Sequence, residues 1–320
     1  MMSLSNRYHR PALLEEVLQL FHDVPSGRYL DVTLGGGGHT EAILDLRADL
    51  DVVALDRDED AIEVSSKRLE RFQERVCIVR SDMKSYVQAI SVQEEAAGSF
   101  SAILADLGVS SHHFDEAARG FSFSGHTPLD MRMDKTDELS AIDVVNKYSQ
   151  TQLIEVLKRG GDVQYAGRIA REVVEHRPIF FTDQLAQIVS DAIPKRALKG
   201  RLHPATTVFQ AIRIEVNGEF EQLDALLTCS RSLLATSGML IVISYHSGED
   251  RMVKEFMRDA TTDRCSCPPK LPCVCGKTKW AISITRNPLV PSAQEIKDNP
   301  RARSAKLRAM RKVELQEGSR

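Results

Sequence analysis

The chain is constrained first by an alternation. Short, nearly unbroken apolar runs occur at Arg28–Leu34 (RYLDVTL), Asp51–Asp56 (DVVALD), Arg75–Arg80 and Ser101–Asp106 (SAILAD), and again at Gly238–Tyr245 (GMLIVISY). Stretches with helical spacing separate them: Pro11–Asp23 leads in, His39–Ala48 and Asp58–Phe72 follow the first two runs, and a helix from about Glu249 to Ala260 follows the last. Strands that are apolar on both faces need helices on both faces, so the pattern predicts an α/β fold with a mostly parallel sheet. Trp280–Thr285 can supply a last strand. Between Asp106 and about Arg213 the alternation stops. Ser140–Asn146, Thr151–Lys158, Tyr165–His176 and Thr182–Ile193 read as helices without convincing strands between them, and a long helix at Glu219–Thr236 restores the alternation. The reading is one discontinuous α/β domain, residues 1–112 plus 214–320, carrying an inserted all-helical domain, 113–213.

Composition narrows the classes. Hydrophobic residues make up 42% of the 320, enough for a packed core, which excludes a disordered or fibrous chain. The longest apolar run, Gly238–Tyr245, is strand-sized and far short of the ~18 residues of a membrane helix, so no membrane partner is expected. The opening MMSLSNRYHRP has no apolar stretch of the signal-peptide kind, which makes a cytoplasmic address the expectation. A net charge of −3 excludes a uniformly basic coat, so any affinity for nucleic acid must come from local patches. Two such patches stand out: Lys195, Arg196, Lys199 and Arg201, and the segment 297–312, with seven basic residues against one acidic. Cys77 and Cys229 read as small buried hydrophobes. Cys265, Cys267, Cys273 and Cys275 could ligate zinc, but their C-x-C spacing departs from the usual C-x2-C and no metal is assigned.

The sharpest local signal is Asp31-Val-Thr-Leu-Gly35-Gly36-Gly37-Gly38-His39-Thr40, between the first strand and a helix. Glycines permit a tight turn and a close approach of backbone to ligand, and the helix start offers N–H groups to a carboxylate or phosphate. Asp56 ends the second strand, about twenty residues on, where a carboxylate can accept from both hydroxyls of a ribose. Glycine loop, Asp56 and Asp31 together suit S-adenosylmethionine, whose carboxylate, ribose and sulfonium would each meet a partner. A nicotinamide oxidoreductase would share the loop and the acid, but Thr40 stands where the dinucleotide fingerprint needs its third glycine. A non-catalytic ribosome-assembly factor would keep the basic segments and need no donor pocket. Asp106, ending the fourth strand, faces the same crevice and can either accept from an amine or cap a helix. Arg119-Gly-Phe121-Ser-Phe123 combines a cation with two aromatics, and Pro128-Leu-Asp130-Met131-Arg132-Met133-Asp134 alternates acid, methionine and arginine. Each fits a nucleic-acid substrate site as well as a loop packed by Phe and Met with a local Asp–Arg pair. Ser244-Tyr245-His246-Ser247-Gly248-Glu249-Asp250-Arg251 reads as a catalytic loop or a helix cap.

Taken together, DVTLGGGGHT, ALDRD, DLGVSS, RGFSF, PLDMRMD, HPATTVFQAIRIEVN, ISYHSGEDR and NPRARSAKLR, all in one order, resemble the bacterial small-subunit rRNA cytosine-N4 methyltransferases, the RsmH or MraW family, from about His9 to Arg311. The resemblance implies a Rossmann-like class I methyltransferase domain with an inserted helical domain. It further implies S-adenosylmethionine as methyl donor and, as acceptor, a cytosine in the decoding region of 16S rRNA within the small ribosomal subunit. It carries cofactor contacts onto Gly37, Gly38, His39, Asp56 and Asp106, and onto Met83 and His113, where the family often has Phe and Gln. Two further departures are Gly160–Gln164 and Gly248. On this reading Asp106 or Asp130 accepts from the target amine, Phe121 or Phe123 stacks the base, and His246 helps position it. Arg119, Arg132, Lys195, Arg196, Arg201, Arg301 and Arg303 meet the RNA. The chain is expected to act as a monomer or homodimer.

Overall fold

The computed structural model describes residues 11–93, 98–109, 116, 119–123, 125–194, 203–263 and 278–314. It divides into two compact units, one built on residues up to Gly108 and from Glu221 onward, the other on Val109–Phe220. The sequence-based edges lay at 112/113 and 213/214; the second of these would have cut a continuous helix, Ala205–Asn217.

In the first unit the chain passes through α1 (Leu14–His22), β1 (Gly27–Asp31), α2 (Gly38–Leu46), β2 (Leu50–Asp56), α3 (Glu59–Leu69), β3 (Val76–Arg80), α4 (Met83–Ser91) and β4 (Phe100–Asp106). It leaves for the second unit through α5 (Ala141–Lys147), α6 (Gln150–Gly161), α7 (Ala166–Glu175), α8 (Thr182–Ala192) and α9 (Ala205–Asn217). It then returns through α10 (Glu219–Leu233), β5 (Leu234–Ser244), α11 (Ser247–Ala260), β6 (Ala281–Ser283), α12 (Ala293–Asp298) and β7 (Lys306–Lys312).

Among the described residues the strands form one seven-stranded sheet in the order β3-β2-β1-β4-β5-β7-β6. β1 to β5 pair in parallel, and β7 runs antiparallel to both β5 and β6. This is a Rossmann-like, mostly parallel α/β sheet. The alternation of the strand side chains explains the continuous apolar runs. Leu30, Val53, Leu55, Ile103 and Val242 face a core shared with Leu223, Leu226, Leu227, Val253 and Met257. Tyr29, Val52, Ala54, Leu104 and Ile241 face the opposite core, with Val17, Phe21, Ile43 and Leu44. Burying each large aliphatic side chain contributes about 1.5–3 kcal/mol, so a strand buried on both sides is far more stabilising than an exposed one. The strand order reverses between β1 and β4, and in such sheets the ligand crevice opens beyond the carboxyl ends of the strands at the reversal.

Two sequence readings change. The segment 297–312, taken as a cationic element, contains β7, which forms an interior strand of the sheet. Cys77, taken as buried, is exposed, because β3 is an edge strand with one flank unpaired among the described strands.

The second unit packs its own core from Leu153, Val156 and Leu157 of α6, Ile169 and Val173 of α7, Leu185 and Val189 of α8, and Val208 and Ile212 of α9. α6 crosses α9 closely at Gly160, where an added Cβ would lie 2.8 Å from the Ala211 Cα. The chain before α5 is tied to the end of α9 by Asn217, whose Oδ1 accepts from the Met133 N–H (2.8 Å) and whose Nδ2 donates to the Met131 carbonyl (2.8 Å).

Candidate active site

The carboxyl ends of β1, β2, β4 and β5 bring together Asp31, Asp56, Asp106 and the Ser244–Tyr245 turn. The glycine run after β1 wraps over these ends. Gly37 is the N-cap of α2 with φ +74°, a left-handed conformation in which a side chain is strained, and it brings no capping side chain to the N–H groups of the first turn. Those groups and the positive end of the helix dipole favour a carboxylate. Arg68 Nη1 donates to the Gly36 carbonyl (2.7 Å) and steadies the loop. Asp56 Oδ2 accepts from the Gly35 N–H (2.8 Å) and Oδ1 from the Asp58 N–H (2.9 Å). A carboxylate has about four acceptor positions, so it can hold two backbone donors and still accept from a vicinal diol. Met83 opens α4, half-buried beside the same core.

Asp31 points inward, 1% exposed, and accepts from the Thr40 hydroxyl (2.6 Å) and the Thr33 N–H (3.0 Å). Burial raises its carboxyl above the ordinary value, although these bonds pull the other way. Its role is to brace the glycine loop against β1. His39 is also buried. Its Nε2 lies 3.0 Å from the Ala12 carbonyl, which can only accept, so Nε2 carries the hydrogen. Burial pushes the imidazole below its ordinary value, more than neighbouring Asp31 raises it. A neutral ring then turns a lone pair on Nδ1 toward Asp106 Oδ2, 3.6 Å away. Asp106 is fixed from two further sides: its N–H donates to the Thr33 hydroxyl (2.6 Å), and its Oδ1 accepts from the Tyr245 hydroxyl (2.8 Å). Burial, and then Asp106 itself, push the Tyr245 hydroxyl well above its usual value, so it is a donor throughout the physiological range.

His246 takes the cap alternative. It is the N-cap of α11 in a reciprocal box, with its Nδ1 accepting from the Glu249 N–H (3.3 Å) and Glu249 Oε2 accepting from the His246 N–H (3.4 Å). Asp250 pairs with Arg308 (2.7 Å) and Lys306 (3.2 Å). The cations of β7 therefore hold the fold together. Arg301 and Arg303, in the turn before β7, are exposed.

In the second unit the loop reading gains ground. Met131 and Met133 point into the core, while Asp130 and Arg132 point outward and join through two bonds of 2.8 and 2.9 Å. Burial alone would raise Asp130, but the Arg132 guanidinium and backbone outweigh it and hold the carboxyl below its ordinary value. Arg119 is 3% exposed and donates to the Met133 carbonyl (2.7 Å). Phe121 is 6% exposed and belongs to the apolar core of this unit. Phe123 lies partly buried, stacked on His203 at 4.9 Å and edge-on to Phe209 at 5.2 Å. His113, Lys195, Arg196, Arg201 and the cysteines from Cys265 to Cys275 lie outside the described residues. Sequence reasoning missed Tyr245 and Thr33. Both lie inside segments it singled out, but their partners are 139 and 73 positions away in the chain.

A sequence model of the MraW methylase family matches residues 6–313. Proteins named ribosomal RNA small subunit methyltransferase H are similar over nearly the whole chain. The Carboxydothermus hydrogenoformans protein is 44% identical over 309 residues (95% of this chain, 98% of its own length). The Symbiobacterium thermophilum protein is 43% identical over 317 residues (97% and 98%), and one from a Cyanothece strain is 42% identical over 310 residues (97% and 96%). With a glycine loop, a second-strand acid and a fourth-strand acid at the mouth of the sheet, and a match spanning both units, the chain belongs to the MraW methylase family of S-adenosylmethionine-dependent methyltransferases.

Proposed function

We propose that this protein transfers a methyl group from S-adenosylmethionine to the N4 amine of a cytosine in the decoding region of 16S rRNA. The observation that carries the reading is the donor pocket: Asp56, the Gly35–His39 loop and Asp106 stand together at the carboxyl ends of β1, β2 and β4. The residues fit the donor by their chemistry. Asp56 suits the ribose hydroxyls, the N–H groups of the first turn of α2 suit the carboxylate, and Met83 suits an adenine face. The names of the relatives support a small-subunit rRNA substrate.

When bound, the donor supplies an electrophilic methyl on a sulfonium, whose leaving group is neutral. The protein's task is therefore alignment, holding nitrogen and methyl carbon ~3–3.5 Å apart and in line. The N4 lone pair is delocalised into the ring, so an acceptor on its hydrogens favours the pyramidal, cationic geometry. Asp106 or Asp130 is the carboxylate proposed for that task, with the Arg132 guanidinium holding Asp130 below its ordinary value. Phe123 and His203 are the aromatic pair proposed to meet a base withdrawn from its stack, a step costing a few kcal/mol. Lys195, Arg196, Arg201, Arg301 and Arg303 are proposed as phosphate contacts, giving salt-sensitive RNA binding. Mass mapping of small-subunit rRNA treated with the protein and S-adenosylmethionine tests the whole. The expected result is one N4-methylated cytosine in the decoding region; methylation at carbon, or at another nucleotide, would overturn it.

A further inference from the structure

Tyr245 belongs to none of the contacts discussed for the family, yet its hydroxyl reaches Asp106 across the tips of β4 and β5. Asp106 is thereby oriented in a definite way. Oδ1 faces Tyr245 at 2.8 Å, and Oδ2 faces His39 Nδ1 at 3.6 Å. With the His39 hydrogen on Nε2 toward Ala12, these last two atoms are both acceptors, turned toward one another. Two facing acceptors make a place for a group with several N–H bonds and positive charge. We infer that Tyr245 is a positioning residue: its hydroxyl turns the Asp106 carboxylate so that Oδ2 and His39 Nδ1 together receive the α-ammonium of the methyl donor. The inference rests on the donor reading and refines it, placing Asp106 first at the donor's amino group. The packing supports rotation as the variable. Tyr245 lies against Gly108, where an added Cβ would come 3.5 Å from its Cδ2, and its backbone N–H donates to Glu249 Oε2 (2.9 Å), so its backbone is anchored apart from the hydroxyl.

The test compares two ligands by calorimetry on the full chain: S-adenosylhomocysteine and its analogue with hydrogen in place of the α-ammonium. Tyr245→Phe keeps the ring and removes only the donor. Loss of one hydrogen bond of about 0.5–1.5 kcal/mol corresponds to roughly 2- to 13-fold. The expected result is that Tyr245→Phe weakens S-adenosylhomocysteine by that factor and leaves the deaminated analogue unchanged. Asp106→Asn should abolish most of the wild-type preference for the ammonium, and adding Tyr245→Phe to it should change nothing more. Equal weakening of both ligands, or no weakening of either, would overturn the positioning role. Failure of wild-type protein to bind either ligand would instead overturn the donor reading itself, so the two failures are distinguishable.

Discussion

Asp56→Asn is the substitution that separates scaffold from ligand contact at the donor pocket. The native carboxylate holds two backbone donors at once, Gly35 N–H at 2.8 Å and Asp58 N–H at 2.9 Å. Asparagine has the same shape but only one oxygen, so one of those N–H groups would face an NH2, donor against donor. A hydrogen bond to a charged group contributes about 1.5–3 kcal/mol, and that is the expected fall in unfolding free energy, read from urea denaturation of the full chain. The ribose hydroxyls lose a charged acceptor as well. If the loss is again about 1.5–3 kcal/mol, S-adenosylhomocysteine binding weakens by roughly 10- to 150-fold. Calorimetry measures this directly. A variant that melts early but binds normally would make Asp56 a brace for the glycine loop and nothing more. Unchanged stability together with unchanged affinity would refute the argument altogether.

Other expectations follow from the packing and charges. Arg308→Gln should lower stability by breaking the pair with Asp250 while leaving RNA affinity intact, whereas Arg301→Gln with Arg303→Gln should weaken RNA binding and flatten its salt slope; filter binding across a salt series decides both. Gly160→Ala would press a methyl against the backbone of Ala211, and overpacking of this kind costs about 1–3 kcal/mol, visible as a lowered thermal midpoint. Ser140→Ala removes the N-cap of α5 and should cost about 0.5–2 kcal/mol. The same box sets an acid limit. The Lys147 ammonium and then the Ser140 hydroxyl hold Asp143 at about 2, below the value of an unfolded aspartate, so its contribution is full above the unfolded value and disappears as pH falls toward 2. Asp143→Asn should therefore flatten that part of the stability profile.

The legible parts of this molecule were those carried by periodicity or by a run of unusual residues. The strands at Asp51–Asp56 and Ser101–Asp106 and the helices of the insertion have spacings that leave few alternatives, and their ends in the structure differ by a few residues at most. The glycine run could be placed at a strand–helix turn because four glycines in succession suit little else. β7 was hidden by its charges: Lys306, Arg308, Arg311 and Lys312 mask the alternation of Leu307, Ala309 and Met310, and only the partners Asp250, Asp23 and the carbonyls of Arg231 and Leu234 explain them. In PLDMRMD the period of two was visible, but not which set faced inward; Met131 and Met133 do, which leaves Asp130 and Arg132 to each other. The hydroxyl of Tyr245 illustrates a general limit, since no local pattern announces a bond to a residue 139 positions earlier.

The position of β7 also sets an order of assembly. It is laid down last among the described strands yet lies between β5 and β6, so residues 306–312 must enter a slot already flanked on one side. Until they do, β5 has one open flank and β6, only three residues long, has nothing to pair with. During synthesis the parallel half of the sheet can therefore form early, while the antiparallel half waits on residues 306–312. A nascent chain stopped before Lys306 should expose a long apolar strand edge to chaperones and to its own kind.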